Sequence, residues 1–193
     1  MEFRDLTEDD IEVRVQSVKQ NGLILLLYKN ARVDMAILDE TVGAENWQRE
    51  HYECKGNLFC RVGICCKMKI DESGNSGDIL SPSWVWKSDC GVESNTEKEK
   101  GEASDSFKRA CFNWGIGREL YTSPFVWVDV KKCNIKDTGK KDKYGNPVYS
   151  CNDRFSIEKI AIENKKIVGL SIINNSIKAD SIKDKRCFVW SAK

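Results

Sequence analysis

Residues 104–121 read SDSFKRACFNWGIGRELY, and the adjacent cations Lys108 and Arg109 are the side chains in this stretch best suited to a chemical task. Such groups, fixed on a stiff element, hold anions such as phosphate oxygens. On a wheel of about 100° per residue, Ala103, Phe107, Ala110, Cys111 and Trp114 form one apolar stripe. Lys108 and Arg109 fall on the far side beside Asp105 and Phe112. Lys100 lies nearer the edge of the stripe, two turns earlier. Lys108 and Phe112, four apart, share a patch of cation and ring. Gly115 and Gly117 end the helix and permit close backbone approach. At this point two readings stay open. One is a solvated outer face; the other is a phosphate-tracking helix whose Lys108 and Arg109 meet backbone oxygens.

Other chemistries leave weaker traces. No G-x-x-x-x-G-K-[ST] phosphate loop occurs, which argues against an ATP-driven machine. Asp34, Asp39, Asp71 and Asp89 are plentiful carboxylates without a recognisable metal pair, so a metal-dependent nuclease is the weakest alternative. Nine cysteines include no C-x-x-C pair and accompany a single histidine, His51. Free thiols are therefore expected rather than zinc or a disulfide framework. No cofactor is expected. Trp84, Trp86, Trp114 and Trp127 suit core packing or subunit contact, with base stacking as the alternative use.

At 193 residues, 40% hydrophobic and 32% charged, the chain has the balance of one folded domain. Its longest apolar run, Leu23 to Leu27, is too short to span a bilayer, and MEFRDLTEDD lacks the layout of a secretory signal. A soluble, cytoplasmic protein without a membrane partner is expected. Net charge is +1, but its distribution is uneven. Residues 1–130 carry 16 Lys/Arg against 23 Asp/Glu, and residues 131–193 carry 15 against 7. A basic second part is compatible with a polyanion partner and equally with a lysine-rich solvated face.

The elements that must position the cations follow from periodicity. A first helix is expected over LTEDDIEVRVQSVKQ, capped at Thr7, with a turn at Asn21-Gly22 and a strand in GLILLLYKN. ARVDMAILDETV has helical spacing and Gly43 as its C-terminal cap. WQREHYECK, LFCRVGICCKMKI and SWVWKSDCG read as three strands of a meander, with a turn at Gly74, Asn75 and Gly77. The long helix starts near Asn95. PFVWVDVKKC reads as a strand, KDTGKKDKYGNP as a polar loop, and FSIEKIAIENKKIVGLSIINN as a hairpin turning near Glu163-Asn164-Lys165. The expected class is α+β: an antiparallel meander packed on a long helix, with an N-terminal helical segment and a basic β-rich C-terminal extension. The boundary between core and extension is expected at 130/131.

The words ARVDMAILDETVGAENWQ and SWVWKSDCGVESNTEKEKGEASDSFKRACFNWGIGRELY resemble the Rad52 family of recombination proteins, and most closely its bacteriophage branch of single-strand annealing proteins. The resemblance spans roughly residues 8 to 121. It implies a β-β-β-α core, a homo-oligomeric ring, and ATP-independent binding and annealing of single-stranded DNA, with no catalysis. It also implies that Lys108 lines a groove for the strand's backbone, joined by Arg32 from the earlier helix and supported by Arg109 and Lys100. Cys111 and Phe112 stand where the family has small residues. A single-strand-binding protein or an exonuclease are the partners such a protein would meet. The alternative is a non-enzymatic interaction module of a recombination complex, for which the basic segment from Lys131 to Lys143 is a candidate surface.

Overall fold

The computed structural model describes residues 1–66, 83–92, 98–179 and 181–192. Along the chain these form β1 (Glu12–Lys19), β2 (Gly22–Tyr28), α1 (Ala31–Val42), β3 (Trp47–Cys54), β4 (Asn57–Cys66), β5 (Ser83–Cys90) and α2 (Lys98–Trp114). There follow β6 (Val126–Asp129), β7 (Ile135–Lys141), β8 (Pro147–Cys151), β9 (Phe155–Glu163), β10 (Lys166–Asn174), α3 (Ile182–Lys185) and β11 (Arg186–Ser191). The mixture of helices and mostly antiparallel strands is an α+β fold. The expected turn at residues 74–77, the helix start near Asn95, and Asp71 lie outside the described residues.

Compactness divides the chain into two units: Met1–Arg4 with Ala31–Ile116, and Asp5–Asn30 with Gly117–Lys193. In the first unit, β3, β4 and β5 make an antiparallel sheet in that order. Trp47 pairs with Ile64, Arg49 with Val62 and His51 with Cys60; on the other side of β4, Val62 pairs with Lys87 and Cys60 with Asp89. This register puts Cys60, Val62 and Ile64 on one face, all fully buried. The stripe read from the sequence of α2 meets that face: Phe107, Ala110 and Cys111 are fully buried too. Gly91 lets the helix come close, because a Cβ there would sit 2.2 Å from the carbonyl oxygen of Glu102. Gly43, at φ 87°, ends α1 as expected, its N–H donating to the Asp39 carbonyl at 3.0 Å.

In the second unit, six strands form one antiparallel sheet in the order β11-β10-β9-β1-β2-β6. Its two edge strands, β11 and β6, approach with Cα atoms within 8 Å, so the sheet curls toward closure. Leu23, Leu25, Val126, Val128, Leu170 and Ile172 are buried along it. The hairpin expected in residues 155–174 is present as β9 and β10. Its turn residues Asn164 and Lys165 have φ 50° and 60°, as a two-residue type I′ connection demands.

Two expectations are corrected. The segment expected as a first helix is a single 3-10 turn, Glu8–Asp10, followed by β1. Thr7 and Asp10 do form a reciprocal cap, but the chain then alternates, with Val13 and Val15 turned inward and Glu12, Arg14 and Gln16 outward. Branched side chains at every second position favour the pleated sheet, and pairing with β2 through the Gln20–Asn21 turn fixes it. The expected polar loop KDTGKKDKYGNP is instead most of a two-stranded hairpin, β7 with β8. Its alternation is hidden by a bulge between Asp137 and Lys141 and by the lack of any apolar face. The strand expected in PFVWVDVKKC ends early, at Asp129, where a 3-10 turn over Val130–Lys132 begins.

Candidate nucleic-acid interface

The four cations singled out from the sequence all lie in the first unit. Lys108 and Arg109 are neighbours midway along α2, and Lys100 lies in the first turn of the same helix. Arg32 is exposed in the first turn of α1, a helix that packs on α2. Lys108 and Arg109 are half-buried rather than extended into solvent, and each faces a carboxylate. Lys108 Nζ stands 3.8 Å from Asp105 Oδ1, the two side chains 24% and 34% exposed. Arg109 Nε donates to Asp89 Oδ1 at 3.3 Å. Both pairs stay partly wet, so they orient the cations without sealing them from an incoming anion.

The sheet supplies much of this seat. Asp89 accepts from the N–H of Cys90 at 2.8 Å and from Asn113 Nδ2 at 3.4 Å, while Asn113 also donates to the Ser88 carbonyl at 2.9 Å. Lys87 Nζ donates to the Asn113 carbonyl at 2.9 Å and lies 4.5 Å from the centre of the Trp114 ring. Trp114 Nε1 in turn donates to the Val62 carbonyl at 2.9 Å. His51 Nε2 lies 3.1 Å from the Ala103 carbonyl, and Arg49 stacks over the Phe107 ring at 4.8 Å. The position of α2 is thus fixed from all three strands, and Lys108 and Arg109 with it.

Lys87 and Asp89 were not singled out as members of this set. The signal was present, since alternation in SWVWKSDC puts residues 85, 87 and 89 on one face, and that face carries α2. On the opposite face, Tyr52 stacks on Phe59 at 5.5 Å, Trp84 lies 6.1 Å from Trp86, and Arg61 covers the Trp86 ring at 4.6 Å while pairing with Glu50. The four tryptophans therefore form no single cluster. Trp84 and Trp86 share the sheet's far face, Trp114 is bonded to β4, and Trp127 packs over Gly22 in the second unit.

The two glycines after α2 have separate roles. Gly115, at φ 102°, ends the helix. Gly117, at φ 73°, admits the stem of Lys29, whose Cε would lie 2.3 Å from a Cβ at that position. Close approach at Gly117 is thus made by a buried lysine of the same unit. Nearby, buried Glu119 accepts from the Leu6 N–H at 2.7 Å.

Of the other carboxylates singled out, Asp39 accepts from Trp47 Nε1 at 2.6 Å, and Asp34 is buried within α1. Among the described residues no three His, Cys, Asp or Glu side chains are grouped as a metal ion would require. The nine cysteines are free thiols. Among the described residues no helix is long and apolar enough to cross a membrane.

A family model described as Rad52/22 family double-strand break repair protein matches residues 3–138, which is 136 of the 193 residues. The chain belongs to the Rad52/22 family. The matched stretch takes in both cation-bearing helices and the three-stranded sheet between them, and ends inside β7. Membership puts the chain among proteins of DNA recombination and repair, with DNA as the binding partner. No curated protein and no solved structure matches it.

Proposed function

We propose that this Rad52/22 protein binds single-stranded DNA and anneals complementary strands without ATP, as a bacteriophage-type recombination protein acting in the cytoplasm of a bacterial host. The observation that carries the reading is the half-exposed Lys108–Arg109 pair, oriented on a helix that the sheet holds in place. Annealing makes and breaks no covalent bond. It needs phosphates gripped while base edges stay free, and cations on a stiff element do that without reading sequence. Lys108 and Arg109 are the principal contacts in this reading, with Arg32 and Lys100 extending the track along α1 and α2. Residues 1–130, with the meander and α2 as a β-β-β-α core, supply the grip. Residues 131–193 form a basic β-rich extension.

A single subunit offers few contacts, and a ring of copies would repeat them along one strand and raise avidity. An edge strand supports this assembly: β3 borders its sheet and is exposed from Gln48 to Cys54, a template for pairing between subunits. A single-strand-binding protein or an exonuclease would be the natural companion.

The competing reading, a protein-interaction module that keeps the fold without gripping DNA, draws on Asp89 and Asp105, which already neutralise the two cations. Annealing of complementary oligonucleotides without ATP, run beside a measurement of particle mass, separates the two. Lys108→Ala should weaken binding equally on all sequences and reduce the salt slope by about 0.7, one contact to a single strand. A folded variant with unchanged affinity and slope overturns the assignment.

A further inference from the structure

In the second unit, β1 and β9 pair at only two positions, Glu12 with Ser156 and Val13 with Phe155. The ladder then stops. Its next rung would set Arg14 against Arg154, but the backbone of Arg154 is committed elsewhere. The Arg154 N–H donates to Ser176 Oγ at 3.0 Å, and its carbonyl accepts from the Asn175 N–H at 2.8 Å. Further on, β8 lies beside β1 but belongs to a separate two-stranded sheet. The parting leaves a cleft of about 410 Å³ lined by residues 11–15 and 153–156. Buried Ile11 and Phe155 contribute an apolar part of that lining.

The charges of the cleft decide what it fits. Arg14 and Arg154 are exposed, and among the described residues neither guanidinium has a carboxylate partner. Arg14 stands 5.4 Å from the centre of the Tyr28 ring. Like charges brought to one rung of a sheet repel, and a carboxylate bound between them turns the repulsion into two charge-assisted bonds. The acids of the cleft are already held by neutral donors. Glu12 accepts from the Tyr28 hydroxyl and from Asn30 Nδ2 at 2.7 Å. Asp153 accepts from the Asn134 N–H at 2.8 Å, from Asn134 Nδ2 at 3.0 Å and from Asn174 Nδ2 at 2.7 Å. A nucleic-acid backbone, negative along its whole length, would meet these two fixed acids as well as the arginines. A peptide sets its carboxylates singly and carries N–H donors between them, so it matches both signs. An unpaired strand edge also takes an extended peptide as one more strand.

We propose that this cleft docks an extended acidic segment of a partner protein, its carboxylates bound by Arg14 and Arg154 and its backbone pairing with the free edge of β1. The test measures, by fluorescence anisotropy, binding of the full chain to a labelled octapeptide alternating aspartate and valine, to its lysine–valine counterpart, and to a labelled single strand. An R14A/R154A variant, checked by circular dichroism, is compared with the native protein. The native chain should prefer the acidic peptide, and the variant should bind it on the order of a hundredfold more weakly, about tenfold for each charge-assisted contact. Its single-strand affinity should stay within about twofold, since exposed charges beyond a Debye length are screened. Methylating alternate backbone nitrogens of the peptide should weaken binding by about fivefold or more, because the strand pairing loses its donors. A native chain that shows no preference for the acidic peptide overturns the proposal, as does unchanged affinity in the folded variant. Equal losses of peptide and single-strand binding mark a general anion contact and overturn it too. Indifference to methylation overturns the pairing with β1. None of these outcomes depends on annealing, so failure here leaves the annealing reading untouched.

Discussion

Two sets of cations in this molecule are built on opposite principles. Those on α2 are seated: Phe107, Ala110 and Cys111 anchor the helix, and Lys108 and Arg109 each lie against a carboxylate. Those on the β7–β8 hairpin stand on the exposed strand β7 and the turn after it and, among the described residues, have no ionic partners. Seating sacrifices some attraction, because an incoming phosphate must displace Asp89 or Asp105, and gains a fixed geometry. Leaving charges bare maximises attraction at a distance and fixes little. The first arrangement suits holding one strand in a set path. The second suits attraction at a distance more than a fixed contact.

The contrast can be broken most severely at its anchor. Phe107→Ala should destabilise the first unit by about 3–5 kcal/mol, seen as a lowered denaturant midpoint, with single-strand binding lost alongside. Retained stability would show that the helix is not held by its stripe. Acid offers a second route. Glu158 accepts from Arg186 Nε at 2.6 Å, from the same guanidinium's second nitrogen and from Ser171, and these bonds hold its carboxyl at about 2 against an ordinary 4.5. A carboxyl depressed on folding stabilises above its unfolded value, and that stabilisation fades as pH falls from about 4.5 toward 2. Thermal melts over this range should show the second unit's sheet weakening, and Glu158→Gln should remove part of the slope.

A smaller effect would sharpen the comparison directly. Asp89→Asn releases Arg109 from its ion pair, and single-strand affinity at low salt should rise about two- to threefold for the added net positive charge. Stability should fall by at most about 1 kcal/mol for the partly exposed pair. An unchanged affinity would mean that Arg109 never meets phosphate. Smallest of all, replacing Lys136 and Lys141 by Ala should move the melting transition by less than about 0.5 kcal/mol, because neither side chain holds anything in the fold. A larger shift would show that the hairpin lysines are structural after all.

Much of the first unit was legible from periodicity. The α+β class and the C-terminal cap at Gly43 follow from local pattern, and Phe107, Ala110 and Cys111 of the α2 stripe are buried. The second unit was harder. β1 was hidden by a convincing cap at Thr7, which the chain uses for one 3-10 turn before the valines take over. β7 gave no hydrophobic alternation because it buries no face, and the bulge at residues 137–141 breaks the period of two. The pairing of Arg109 with Asp89 spans twenty residues, a distance over which spacing carries no information.

From the sequence alone came the inventory: which residues are cations, which helix bears them, which motif words mark the family, and that the second part of the chain is basic. Those properties are local, set by side-chain type and by the 3.6- and 2-residue periods of helix and strand. The helix period already put Asp105 beside Lys108, whereas the partner of Arg109 came only from the tertiary structure. Electrostatic interactions depend on distance in space and on exposure to water, and both are fixed by how strands register and helices pack rather than by order along the chain. Arg109 and Lys136 are both cations; one is seated beside an acid and the other makes no ion pair among the described residues, because only the fold brings Asp89, twenty residues away, within reach of the first.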